Sequence, residues 1–407
     1  MPRPLPAFEP EFALAAAVAL WDDDPFAAAA GALIDQPGFD WGRFCEVACY
    51  HGVDQATQRR MAELLPGAMP AEITAEFTQV GMARSAMQAA QSSVTARLVG
   101  LLANAGVPSL ALKGSALAHL LYASDPVQRT SSDIDLLVAP DTLRAADRAL
   151  RAAGMIRTLP ETLPPKAARP MYMKLVNVFN YRGPVYGELV ELHCRPTLNP
   201  HWLPVTFEEL YAQSCEVSLG GSQVRALDGP LLVEYLCQHA LYCLGYRLKW
   251  IGDIVRALRR AGAADCASYV ASYPARLPPE PGKLADAVLR ALDAGIARSI
   301  AGAGPPVMAG RDVWRIVDYL HQSEAIPTER TLASLPIEFW YHSLSMRHLP
   351  GWRGKAHELL VAACNPVDTI TLKIGPRLAP VYFVAGPVLA LSRLVARRWR
   401  KPAAPAI

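Results

Sequence analysis

The sequence predicts an α+β fold, a small mixed sheet flanked by N-terminal and C-terminal helical regions. Three observations carry this. Residues 11–106 are Ala-rich segments of helical spacing broken by prolines. Residues 107 to about 226 alternate short apolar runs with helical patterns. From Gly229 onward amphipathic helical spacing returns. These shifts divide the chain into an N-terminal helical region (1–90), an α/β core (91–226), a helical domain packing over it (227–304) and a C-terminal helical region (305–407).

In the first region, stretches 13–20 and 26–33, the "MAELL" segment and a run from about Glu72 to Ala105 read as helices, with Pro25, Pro37, Pro66 and Pro70 as breaks. In the core, "VPSLALKG" is a short strand ending at Gly114, and "SALAHLLYA" continues as a helix with Ser115 near its start. Ser131 and Ser132 precede "DIDLLV", a second strand. "APDTLRAADRALRAAG" is a helix with Asp141 as N-cap and Gly154 as stop. Residues 171–182 and 186–194 read as two strands joined at Gly183-Pro184. Beyond the core, "GPLLVEYLCQHALYCL" and "RLKWIGDIVRALRRAG" are amphipathic helices. Further helices follow at about 283–302, 311–324 and 356–363, with Pro-rich joints at 274–281 and 305–306.

Composition narrows the classes. Hydrophobic residues are 52% and charged residues 19%, which excludes wholesale disorder. A net charge of +3 gives nucleic-acid binding no support. The eight cysteines contain no CxxC pair. Neither Cys45 and Cys49 near His51, nor Cys237, His239 and Cys243, has a zinc-site layout, so all read as free thiols of a reducing, cytoplasmic setting. The N-terminus lacks the basic-then-apolar order of a signal peptide. Leu378–Leu391 is short for a membrane span and carries Pro380, Gly386 and Pro387. With Arg393, Arg397, Arg398, Arg400 and Lys401 behind it, it reads first as a packed terminal helix with a basic end, and second as a membrane-surface contact.

The chemistry concentrates in "LKGSALAHLLYASDPVQRTSSDIDLLV", residues 112–138. Alternation along a strand puts Asp133 and Asp135 on one face and Ile134 on the other. Paired carboxylates in a half-buried site repel, and a divalent cation relieves them. Mg²⁺ suits a few carboxylates with phosphate oxygens and water. Alone, the pair also reads as two solvent-facing aspartates. Gly114 and Ser115 at a strand-to-helix junction offer backbone N–H groups to an anion, with Lys113 beside them and Arg129 within reach. In "LVELHCRP", Glu191 and His193 share a face. Glu191 reads evenly as a third carboxylate or as a water-facing strand residue, and Glu188 is out of phase with it. His193 reads as a phosphate contact, an orienter of Glu191, a proton carrier or a structural histidine. Lys249 and Asp253, one helical turn apart, read as cleft residues or as a local ion pair.

Together, "LKGSALAHLLY…R…SDIDLLV", "LVELHCRP" and "CQHALYCLGYRLKWIGDIVRAL" resemble the uncharacterised nucleotidyltransferase family of the polymerase-beta-type superfamily, over about residues 95–262. The interval of 17 residues between Ser115 and Asp133 exceeds the usual superfamily spacing but suits this family, with Tyr122 and Arg129 inside it. The resemblance implies a nucleoside triphosphate held at Gly114 and Ser115, two Mg²⁺ ions on Asp133 and Asp135, and Glu191 as third carboxylate or acceptor-side base. It matches His239, Arg247, Lys249, Trp250 and Asp253 to polar positions of the family's helical segment. The nucleotide-side set expected is therefore Lys113, Gly114, Ser115, Arg129, His193, Lys249 and Asp253. The implied reaction is Mg²⁺-dependent transfer of a nucleoside monophosphate, or a related activated group, to a small-molecule, peptide or sugar-bearing acceptor. The alternatives are a non-catalytic nucleotide- or protein-binding module and an RNA-directed toxin-type nucleotidyltransferase.

Overall fold

A computed structural model describes residues 1–21, 29–123, 125–242, 245, 247–274, 277–302, 304–322, 335–373 and isolated positions between 381 and 389. Pro25, Cys243, most of the 378–391 segment and the basic residues after it lie outside the described residues.

The sheet has seven strands. In chain order after a two-residue strand β1 (Arg3–Pro4), they are β2 (Ser109–Ala111), β3 (Asp133–Val138), β4 (Ile156–Leu159), β5 (Val178–Arg182), β6 (Leu189–His193), β7 (Ser214–Leu219) and β8 (Ser222–Leu227). Their spatial order is β4-β5-β6-β3-β2-β8-β7. β3 runs parallel to β6, and β2 parallel to β8. The other neighbours are antiparallel, so the sheet is mixed as expected. β1 pairs separately with β9 (Met308–Ala309). β3 is central, and every residue from Ile134 to Val138 is buried, as a strand covered on both faces requires.

The helices, numbered among the described residues, begin with α1 (Pro10–Leu20), α2 (Trp41–His51), α3 (Asp54–Leu64) and the long α4 (Ala71–Asn104). Within the sheet unit come α5 (Gly114–Leu121), α6 (Leu143–Ala152), α7 (Arg169–Leu175) and α8 (Phe207–Ala212). Then follow α9 (Gly229–Tyr242), α10 (Leu248–Ala261), α11 (Cys266–Ala271), α12 (Glu280–Ala301) and α13 (Arg311–Gln322). Last are α14 (Leu335–His348), α15 (Gly351–Ala363) and α16 (Pro366–Leu372).

Two apolar cores result. One joins the sheet to Leu98 and Leu102 of α4, Tyr172 of α7 and Leu231 and Leu236 of α9. The other joins α1, buried from Glu11 to Leu20, with Phe44, Phe77, Ile251, Leu292 and Ile316. A helix apolar around its whole circumference belongs inside such a bundle. α9 and α10 touch both cores: Leu241 and Leu248 lie in the second, Tyr235 and Ile254 in the first.

Three readings of local structure change. Residues 171–182 are not one strand: α7 takes the first part and β5 begins at Val178. Pro170 sits in the first turn, where it suits a helix start, and Met171, Tyr172 and Leu175 bury one helical face. The cap of α6 is Thr142 rather than Asp141, because a turn from Ala139 to Thr142 carries Asp141 outside the helix. β4 and the β7–β8 hairpin went unmarked. The hairpin turn is Gly220-Gly221 with φ of +54° and +82°, as a type I′ turn demands.

Candidate active site

Leu112 donates its N–H to the Asp135 carbonyl at 3.2 Å, so the chain leaves β2 locked to β3. Gly114 then turns into α5 with φ +67°, and a Cβ there would stand 3.3 Å from the Asp133 carbonyl oxygen. Glycine is required both for the left-handed backbone and for this approach. The Gly-Ser turn is thereby pressed against the first residue of β3. Ser115 is buried, and its Oγ has no hydrogen-bond partner.

Asp135 and Glu191 are direct register partners on the parallel strands β3 and β6. His193, two residues further along β6, brings Nε2 to 3.1 Å from Asp135 Oδ1 and 3.5 Å from Glu191 Oε2. One ligand atom from each of the three lies within 4.8 Å of the others. Lys113 Nζ reaches Asp135 Oδ1 at 3.2 Å. Asp135 Oδ2 is buried and accepts no hydrogen bond. A buried, partnerless carboxylate oxygen beside a second carboxylate and an imidazole is a donor set that fits a divalent cation. Asp133 shares the cleft but stands outside this trio, and its Oδ1 accepts from Ser131 Oγ at 2.6 Å. Glu188, by contrast, is spent on Arg97 at 3.6 Å.

The two aspartates are driven apart electrostatically. Burial, then the Asp135 charge, pushes the Asp133 carboxyl above its ordinary range. Burial works against Asp135 as well, but Lys113 and the His193 hydrogen bond outweigh it and hold the carboxyl below that range. Burial opposes a charge on His193, and the bonds to Asp135 and Glu191 overcome it and favour the protonated ring.

Lys113, Asp133, Asp135 and Glu191 line a cleft of about 640 Å³ together with Arg129, Lys249 and Trp250, while Gly114, Ser115 and His193 lie behind its wall. Lys249 is half-buried, and burial followed by the neighbouring Arg129 charge pushes its amine down to about 8. Arg129 and Asp253, both expected at the nucleotide, are joined to each other. Arg129 donates Nε and Nη2 to the Asp253 carboxylate at 3.0–3.1 Å and Nη1 to the Gly114 carbonyl at 3.4 Å. Tyr122 donates its hydroxyl to Asp253 at 3.2 Å. Tyr122 and Arg129 of the long Ser115–Asp133 interval thus end on one carboxylate of α10. His239 lines the cleft against Trp250, with ring centroids 5.2 Å apart, and burial keeps its imidazole neutral.

Among the cleft residues that escaped the sequence, four lie on the N-terminal helices: Cys49 and Tyr50 of α2, and Arg84 and Met87 of α4. Arg84 donates to Thr130 Oγ1 at 2.7 Å and pairs with Asp54 at 3.1 Å, tying the N-terminal helices to the residues just before β3. Nothing in the helical spacing marks these four, because only the packing of α2 and α4 over the sheet brings them to the cleft.

A family model described as uncharacterised nucleotidyltransferase matches residues 37–277, more than half of the chain. The chain belongs to this family. The match begins at residue 37, well before the motif-bearing stretch, and so takes in α2 and α4 and the cleft residues they bring. No curated protein and no solved structure matches the chain. Membership makes nucleotidyl transfer the role of this nucleotidyltransferase chain and a nucleoside triphosphate its substrate. Among the described residues no helix is long and apolar enough to cross a membrane. The described cysteines are free thiols, and none joins a metal-ligand cluster among the described residues.

Proposed function

We propose that this chain is a polymerase-beta-type enzyme that moves a nucleoside monophosphate from a Mg²⁺-bound nucleoside triphosphate to a small-molecule or peptide acceptor. The observation that carries the reading is the register pairing of Asp135 with Glu191, with Asp135 Oδ1 held by Lys113 and His193 and its Oδ2 left partnerless.

In this reading Asp135 and Glu191 would hold Mg²⁺, with Asp133 beside them and the His193 ring donating a hydrogen bond to Asp135. Bound there, Mg²⁺ supplies charge neutralisation for the attacking and leaving oxygens. Gly114 and Ser115 present backbone N–H groups at the start of α5 to the triphosphate, where the helix dipole favours an anion. Lys113 and Lys249 flank that anion as point charges. Glu191, only half-buried where Asp135 is buried, faces the acceptor and takes its proton. Arg129 and Asp253 brace the Gly114 turn from behind instead of meeting the nucleotide.

The test is direct. The protein is incubated with each labelled nucleoside triphosphate and Mg²⁺, alone and with candidate peptide and sugar acceptors, and pyrophosphate release is followed. Release that depends on Mg²⁺ and disappears in Asp135→Asn is expected. Equal release by wild type and variant would show that the activity does not come from this site. The non-catalytic alternative predicts tight nucleotide binding without release.

A further inference from the structure

The cleft continues past the carboxylates to a second surface built by two segments far apart in sequence. α2 ends there with Tyr50, His51 and Gly52, and α10 begins there with Arg247, Leu248 and Lys249. The His51 ring is buried and accepts the Leu248 backbone N–H at Nδ1, 3.2 Å away. Burial, with the nearby Arg247 charge, pushes this imidazole down to about 3, so it stays a neutral acceptor across the physiological range. That bond fixes the end of α2 against the start of α10. Arg247 is thereby laid over Tyr50, with its guanidinium carbon 4.1 Å from the ring centroid. Both residues are half-buried and both line the cleft.

Gly52 adds a second fixed point. Its φ is +66°, and a Cβ there would stand 2.9 Å from Lys249 Cδ, so the lysine stem crosses directly over the glycine. Lys249 feels the charges of both Asp133 and Arg247. The cleft therefore runs from the carboxylates, past Lys249, to the Arg247–Tyr50 stack. That is the order of parts in a nucleoside triphosphate: phosphates at the acids and lysines, base at the planar surface.

We propose that the Tyr50–Arg247 stack is the platform on which the base of the nucleoside triphosphate lies, and that it favours purines over pyrimidines. The proposal rests on the reading of the cleft as a nucleotide site. A guanidinium is planar, delocalised and weakly hydrated, so it stacks on π systems. Tyr50 holds its plane in place. Stacking tolerates any base but strengthens with ring area, which ranks purines first.

Calorimetric titration in Mg²⁺ compares ATP, CTP and inorganic tripolyphosphate on wild type, Tyr50→Phe, Tyr50→Leu and Tyr50→Ala. Wild type is expected to bind ATP more tightly than CTP, and CTP more tightly than tripolyphosphate. Tyr50→Ala is expected to lose roughly 5- to 100-fold in ATP affinity with tripolyphosphate binding unchanged. Tyr50→Phe should retain the ATP preference, and Tyr50→Leu, which keeps the bulk but not the plane, should lose it. Equal wild-type affinity for ATP and CTP overturns the platform without any variant. So does a Tyr50→Leu protein whose ATP and tripolyphosphate affinities fall together or not at all. If wild type binds neither ATP nor tripolyphosphate, the nucleotide reading of the cleft fails and the platform fails with it.

Discussion

Asp135 and Glu191 face each other across the parallel ladder of β3 and β6, and each also meets His193 Nε2, at 3.1 and 3.5 Å. The pairing assembles a candidate cation site from two strands. Replacing Asp135 by Asn keeps the shape and removes the charge that Lys113 and His193 stabilise. Turnover in Asp135→Asn is expected to fall by about 1,000-fold, equivalent to roughly 4 kcal/mol of transition-state stabilisation. Steady-state pyrophosphate release across a Mg²⁺ titration measures it. Recovery at high Mg²⁺ would mean weakened metal affinity alone, and no loss at all would remove Asp135 from the site.

The Arg129–Asp253 pair is 3% and 1% exposed. Removing one partner strands the other charge in the interior. Asp253→Ala is expected to destabilise the fold by about 3–5 kcal/mol, and Arg129→Met combined with Asp253→Leu should recover part of that loss. Urea denaturation of wild type, single and double variants gives the comparison. A single variant as stable as wild type would contradict the bracing role.

Lys249 provides a pH prediction. Its amine is pushed down to about 8 from an ordinary 10.5, so its positive charge fades as pH rises through 8. Affinity for a Mg²⁺–nucleoside triphosphate is expected to fall between pH 7 and pH 9 in wild type, with no such slope in Lys249→Met. For stability the sign is opposite. Between those two values the unfolded chain binds more protons than the native one, so this group makes stability rise with pH. Binding curves that superimpose across that range would dissociate Lys249 from the nucleotide.

Glu234 lies remote from the cleft chemistry. It is fully buried with both carboxylate oxygens unpartnered, and burial, then the Glu280 charge, raises its pKa well above the ordinary 4.5. The native state keeps this proton where the unfolded chain has lost it, so stability falls as pH rises above about 4.5. Glu234→Gln is expected to flatten that decline and to raise the melting temperature at pH 8. A variant that melts below wild type at pH 8 would show that the carboxylate has a partner worth more than its burial costs.

Much of the cleft could be read from the chain because its chemistry is local. The alternation of "DIDLLV" fixes which side chains share a face, and the phase of "ELVELH" separates Glu191 from Glu188. What was not legible is long-range. Arg129 and Asp253 are 124 positions apart, and no spacing rule says that a guanidinium near a Gly-Ser turn will be engaged by α10. Tyr50 and Arg84 lie on helices whose own pattern describes only which face is apolar. The short apolar run at 171–175 fits helix and strand alike, and the packing of Met171, Tyr172 and Leu175 as one helical face in the sheet's core decides between them.

The long interval after Ser115 carries Tyr122 and Arg129, and both grip Asp253 on the helix above. The separation between the sheet and that helical layer is therefore gauged from inside the chain, like the jaws of a set caliper. Widening it means pulling a buried guanidinium off its carboxylate, at about 3–5 kcal/mol. A cleft gauged this way would keep its width whether or not a substrate lies in it.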